Sequence, residues 1–188
     1  MKKLFKIILA LFAVLIVGIV AFGAIIVLDI AAYTSTDSET LTPSGASVGK
    51  ALVVYDLGLS GTAKNVASKI SSELQSHGYT VTFAGIKSSA AANTSDYDII
   101  VVGGPIYAGT PTSSVKDFLS NLNTAQGVKI GVFGSGSGAQ EQSDIDQITN
   151  AIAGLPNGSS LANAIVVKIG SGEDVNTRSA DFVAQLLS

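Results

Sequence analysis

Residues able to grip an anion are concentrated between Ala51 and Ala67. An apolar strand, Ala51 to Tyr55, runs into a turn containing Gly58, Leu59, Ser60, Gly61 and Thr62, and that turn opens a helix. Such a junction aims backbone N–H groups and a helix N-terminus at one point, the arrangement a phosphate needs. Gly58 and Gly61 allow close approach of the backbone, and the Ser60 and Thr62 hydroxyls add donors. No Lys-Ser/Thr pair follows at the Walker spacing, and no Gly-x-Gly-x-x-Gly is present. The donors are therefore mostly neutral, which suits the single phosphate of a mononucleotide. An ordinary strand-to-helix connection punctuated by glycine uses the same residue types, so that plainer reading stands beside it.

Two further glycine-rich segments have the same character. The first reads Gly103, Gly104, Pro105, Ile106, Tyr107, Ala108, Gly109, Thr110, Pro111. Tyr107 offers a flat ring for stacking, and the Ala108–Gly109 peptide can reverse because Gly109 tolerates positive φ. The second, Gly134, Ser135, Gly136, Ser137 and Gly138 with Ala139 and Gln140, offers main-chain donors and acceptors and almost no side chains. A strand end with a structural tyrosine, and a plain loop, are the respective alternatives.

Elsewhere the chemistry is sparse. His77 is the one histidine and falls at an expected helix end, where a cation suits the dipole. There is no cysteine, which excludes disulfides, thiol chemistry and Fe–S clusters. No ligand spacing suggests a metal. Gln140, Glu141, Asp144 and Asp146 make either a solvated first helical turn or an acidic docking patch for a basic redox partner protein. Asp56 is expected to face solvent, and Lys64 and Lys69 to be solvated.

The elements that would position these loops follow from periodicity. Continuous apolar runs at Ala51–Tyr55, Asp98–Val102, Val128–Phe133 and Ala164–Ile169, with an alternating run at Tyr79–Ala84, read as strands. Helical spacing marks Thr62–Ser76, Thr112–Asn121, Gln142–Ala153 and Val175–Leu187, with only a short or irregular helix expected within Lys87–Ser95. The pattern is an α/β protein with a doubly wound, open, parallel five-stranded sheet. Ligands of such sheets sit beyond the carboxyl ends of the strands, and the three glycine-rich loops lie at the ends of strands one, three and four.

Ahead of this domain, Ile7 to Leu28 is an unbroken apolar and glycine run, about 33 Å as a helix. A hydrocarbon core is about 30 Å thick, and the run exceeds the apolar stretch of a cleaved signal peptide. Lys2, Lys3 and Lys6 precede it, so a single-pass anchor is expected with its N-terminus in the cytoplasm and the rest outside. The expected organisation is an anchor over 1–33, a flexible linker over 34–49 and a globular domain over 50–188. Beyond the apolar run, eight basic residues face fourteen acidic ones, a balance that argues against nucleic acid.

Assembled, these features resemble the flavodoxin family over about residues 50–188. The match is carried by the Tyr-x-x-x-x-Ser-Gly-Thr turn at Tyr55–Thr62, the Gly-Gly-Pro-Ile-Tyr-x-Gly segment at Gly103–Gly109, and the glycine-rich loop after the fourth strand. The resemblance implies a 2-1-3-4-5 strand order, FMN bound at the crevice, and electron transfer between redox partners without substrate chemistry. It implies that Gly58, Leu59, Ser60, Gly61 and Thr62 hold the phosphate. Tyr107 would cover the inner face of the ring, and the Ala108–Gly109 carbonyl would accept a hydrogen bond from the reduced ring. The chain departs from the family pattern in three places. Asp56 and Leu57 stand where a hydroxyl is common, Ala63 stands where a threonine donates, and the third loop has no aromatic residue. A flavodoxin-fold module without FMN, and a flavin-dependent quinone or NAD(P)H reductase, are the alternatives.

Overall fold

The computed structural model describes residues 2–32 and 35–188, with the side chains of 6, 8 and 11–26 in the N-terminal helix. That helix, α1, spans Lys2–Ala32. Its apolar side chains, among them Leu11, Phe12, Val14 and Phe22, are exposed. Among the described residues, no helix is long and apolar enough to cross a membrane.

The rest is a three-layer α/β domain. Its sheet contains β1 (Ser38–Leu41), β2 (Gly49–Tyr55), β3 (Tyr79–Gly85), β4 (Ile99–Tyr107), β5 (Thr110–Pro111), β6 (Lys129–Gly136) and β7 (Ile165–Gly170). The strands lie in the order β1-β3-β2-β4-β6-β7, with β5 paired to β4. The ladders from β3 to β7 are parallel, while β1 and β5 join antiparallel. Helices α2 (Thr62–Ser76), α3 (Ser113–Ser120), α4 (Gln142–Ala153) and α5 (Val175–Leu187) cover both faces. A 3-10 turn at Ser89–Ala91 stands between β3 and β4, where only a short helix was expected.

The pleat sorts the core, because successive strand side chains point to opposite faces. Ala51, Val53 and Tyr55 pack with Val66, Ile70 and Leu74 of α2 and Phe182, Val183 and Leu186 of α5. Leu52 and Val54 pack on the other face with Val115 and Leu119 of α3 and Ile148 and Ile152 of α4. Burial on both faces explains why the central strands read as unbroken apolar runs.

Three expectations need correction. The linker expected over 34–49 contains a strand: β1 pairs Ser38–Leu41 with Val81–Ala84. Ahead of it, the Ser35 carbonyl accepts from Lys87 N–H and the Asp37 carbonyl from Gly85 N–H. The outer edge of β3 would otherwise present unpaired main-chain groups, and β1 covers it. Ser35 to Leu41, ahead of residue 50, are therefore part of the folded domain. In addition, Gly103 to Tyr107 are not loop but the end of β4, and Gly134 to Gly136 are the end of β6. Lastly, Asp56 does not face solvent and is fully buried. The alternation that sends Leu52 and Val54 toward α3 sends Asp56 the same way, and the Thr112 hydroxyl donates to its Oδ2 at 2.7 Å.

Candidate functional site

The first turn is built around glycines in the left-handed region, Gly58 at φ 63° and Gly61 at φ 69°. Gly58 lies on the Pro105 ring, and a Cβ there would sit 2.7 Å from Pro105 Cγ. The first turn and the end of β4 are thus in contact. Gly61 is the N-cap of α2 and supplies no side-chain cap. Ser60 Oγ donates to Thr62 Oγ1 at 2.9 Å and accepts from Thr62 N–H at 3.3 Å. The N–H groups of Gly58, Leu59, Ser60, Gly61, Ala63 and Lys64 donate to nothing within the described residues, and the helical ladder starts with Asn65 N–H on the Gly61 carbonyl. Elsewhere the chain closes its own helix starts. Thr112 caps α3, Asp174 caps α5, and the Asp144 carboxylate accepts from Glu141 N–H at the start of α4. No acidic residue lies in the first turn of α2.

The second segment is a hairpin. Ile106 pairs with Pro111 and Tyr107 with Thr110, leaving a two-residue turn of Ala108 (φ 49°) and Gly109 (φ 76°). Positive φ at both positions is the type I′ geometry. Ile106 lies over Gly134 of β6, where a Cβ would meet its Cδ1. Alternation along β4 then sends Pro105 and Tyr107 to the opposite face, the one toward Gly58. Tyr107 is half-buried there.

The third loop reduces to residues 137–141 and is tied down through its acceptors. Gly136 O accepts from Ser171 N–H at 2.9 Å. Lys168 Nζ donates to Ala139 O at 3.2 Å and to Asp144 Oδ2 at 2.8 Å. Gln140 Oε1 accepts from Lys168 N–H and from Arg178 Nη2, each at 2.9 Å. The Lys168 ammonium, followed by Glu141 N–H, holds the Asp144 carboxyl below its ordinary pKa. The N–H groups of Gly138 to Gln140 make no hydrogen bond within the described residues.

The three segments therefore meet at one end of the sheet. The first turn touches Pro105, and β4 pairs with β6 through Gly104–Gly134 and Pro105–Ser135. A groove of about 760 Å³ lies at the opposite end, lined by Thr124 to Ile130 and by Gln185 and Leu186. It lies away from the first turn, the Tyr107 hairpin and the third loop, so its volume alone does not make it the better site. Among the described residues no group of carboxylate, histidine or cysteine side chains could hold a metal.

Residues 53–164 match the family described as flavodoxin domain. The chain belongs to the flavodoxin family. Solved structures agree on the fold of this flavodoxin domain. Oxidised flavodoxin 2 from Bacillus cereus superposes with a TM-score of 0.56 at 23% identity, covering 73% of this chain and 97% of that one. A flavodoxin from Streptococcus pneumoniae TIGR4 gives 0.52 at 20% identity, covering 73% and 97%. Rubredoxin oxygen:oxidoreductase from Desulfovibrio gigas gives 0.52 at 17% identity, covering 78% of this chain and 36% of its own. A comparison with curated protein sequences gives no match.

Flavodoxins are FMN-binding proteins, and the residues present fit that group. Open amides at an uncapped, acid-free helix start suit a phosphate. An apolar and aromatic wall at Pro105 and Tyr107, at the same end of the sheet as the open amides of Gly138 to Gln140, suits a flat ring edged with acceptors. Reading the sequence alone missed the Asp56–Thr112 bond and the Lys168 staple. The alternation of β2 was the available signal for Asp56. For Lys168 there was none, since its partners lie 24 and more residues away.

Proposed function

We propose that the domain binds FMN at this end of the sheet and carries electrons between redox partners at a membrane surface. The observation that supports it best is the set of open amides from Gly58 to Lys64. Bound FMN supplies a ring that takes up and releases electrons reversibly. The protein's share is positioning. Gly58, Leu59, Ser60, Gly61 and Thr62 hold the phosphate through main-chain N–H groups and the Ser60 and Thr62 hydroxyls. Tyr107 flanks the ring with Pro105 and Ile106 behind it, and the Ala108–Gly109 turn presents a carbonyl that can reverse. Ser135, Gly136, Ser137 and Gly138 line the opposite side, and with no aromatic side chain among them that side stays open to a partner protein. Glu141 and Asp146, exposed beside the loop, suit a partner with a basic surface.

The anchor belongs to the same proposal. The exposed Leu11, Phe12, Val14, Leu15, Val17, Ile19 and Val20 of α1 would each lose about 1.5–3 kcal/mol of transfer free energy by staying in water. With Lys2, Lys3 and Lys6 ahead of them, they support a single-pass helix with a cytoplasmic N-terminus and the flavodoxin domain outside.

Titration of the full chain in detergent with FMN, followed by flavin fluorescence and far-ultraviolet circular dichroism, tests the cofactor. Saturable quenching in the micromolar range or below is expected. A folded protein that leaves FMN fluorescence unchanged at high concentration would instead indicate a binding or scaffold module. Flotation of the chain with lipid vesicles after alkaline washing tests the anchor. Turnover of NAD(P)H with a quinone would point to a reductase.

A further inference from the structure

Residues 35–37, which follow α1 closely in the sequence, are seated on the domain at the same end of the sheet as the first turn and the Tyr107 hairpin. Three peptide steps separate Ala32 from Ser35, at most about 11 Å of chain. Ser35 is then buried, with its carbonyl 2.8 Å from Lys87 N. The Asp37 carbonyl accepts from Gly85 N–H at 2.7 Å. Residue 85 has no side chain at the one place where a Cβ would run into Ser35 Oγ and the Ser35 main chain. The Asp37 carboxylate lies 3.3 Å from Lys64 Nζ, on the first turn of α2, beside the open amides. In addition, α1 comes against α3, whose start follows the Tyr107 hairpin. The attachments through Ser35, Asp37 and Lys64 are at the carboxyl ends of the strands.

We propose that this short, seated tether holds the crevice end of the sheet toward the bilayer. The surface around the first turn, the Tyr107 hairpin and the third loop is then a membrane-facing interaction surface, and its partner is the extramembrane part of an integral membrane protein. Bare lipid is the poorer occupant, because Lys64 is paired with Asp37 and the exposed Glu141, Asp146 and Asp174 outnumber the exposed Lys87 around the rim, so anionic headgroups would be repelled. A partner diffusing in the aqueous phase would have to enter between the domain and the membrane. The inference rests on α1 being the anchor. It does not depend on FMN being bound.

Because the chain contains no cysteine, depth can be read with single labels on the full protein. S137C places a fluorophore in the third loop and A125C places one beyond the other end of β6. The eight residues of β6 separate those ends by about 25 Å. Each labelled chain is reconstituted in phosphatidylcholine vesicles carrying a nitroxide quencher on a fraction of the headgroups, and circular dichroism checks the fold. Several-fold stronger quenching at 137 than at 125 is expected. A spacer of about twenty Gly/Ser residues between Ala32 and Ser35, with an r.m.s. span near 25 Å, should abolish the difference. Equal quenching at both positions, or stronger quenching at 125, overturns the orientation and leaves the anchor standing. Protein that fails to float with the vesicles overturns both. Absence of FMN binding in the unlabelled parent chain would fell the electron-carrier reading and leave this one intact.

Discussion

The first and third strand-tip loops lie at the same end of one sheet and treat their polar groups in opposite ways. The first leaves six main-chain N–H groups without an acceptor among the described residues and opens on a helix start whose N-cap supplies no side-chain bond. The third commits its acceptors inward, to Lys168, Arg178 and Ser171. An exposed amide loses little while water solvates it, but it is costly to bury without an acceptor. The first loop is therefore built for an anion that replaces water. The third is a wall fixed by protein contacts before any ligand arrives.

Substitution at Gly58 should break this contrast most severely. G58A forces a side chain into the left-handed region, at a cost of about 1–2 kcal/mol, and drives its Cβ into the Pro105 ring, which costs a further 1–3 kcal/mol or so. A stability loss of about 2–5 kcal/mol is expected in urea unfolding, together with loss of FMN binding. The staple of the third loop is worth less. K168M keeps the aliphatic stem but removes the bonds to Asp144 and Ala139. With its side chain 10% exposed and that of Asp144 20% exposed, the pair falls between a surface and a buried ion pair, so about 1–2 kcal/mol is expected. FMN affinity should fall less than stability does.

The same staple predicts a pH dependence. Lys168 and Glu141 N–H lower the Asp144 pKa from 3.8, so the folded state binds that proton less readily than the unfolded chain. Its contribution is complete above the ordinary carboxylate value and disappears as pH falls through the lowered one. Urea midpoints compared between pH 7 and pH 2 should therefore drop by less in K168M than in the parent protein. An equal drop in both would show that Asp144 is not coupled to Lys168.

What the sequence revealed of this arrangement depended on whether side chains or main chain carried the signal. The spacing of Val66, Ile70 and Leu74, and the glycine after His77, mark α2 because burying one helix face requires that period. Strand β1 escaped notice because Ser38–Leu41 joins through main-chain groups and only Leu41 packs on the core. Any sequence can make those hydrogen bonds. Gly103 and Gly104 suggested the start of a loop, yet they continue β4 because the Phe133 carbonyl and Asp56 approach too closely for a side chain. At the site, the first turn was readable from its glycines and hydroxyls. The third loop was not, since its shape is set by Lys168 and Arg178 from distant segments.

Smaller changes sharpen the contrast. S60A removes the hydroxyl that accepts from Thr62 N–H and donates to Thr62 Oγ1. One neutral hydrogen bond is worth about 1 kcal/mol, so FMN should bind about fivefold more weakly while the unfolding midpoint stays close to the parent value. An effect on stability larger than that on binding would mean that Ser60 serves the turn and not the phosphate.

The hairpin between the two loops provides the finest test, and its expected effect is a gain. Ala108 occupies the first central position of a type I′ turn at φ 49°, where an alanine side chain is disfavoured and asparagine is preferred. A108N should raise stability by about 0.5–1 kcal/mol, read as a higher urea midpoint with unchanged slope. The same gain must be given up if the Ala108–Gly109 peptide reverses when the bound flavin is reduced. In that case the midpoint potential of the FMN complex falls in A108N, and oxidised FMN binds as before. A stabilised variant with an unshifted potential would show that the turn keeps one orientation in both redox states, leaving the reduced ring to be met by the open amides of the third loop.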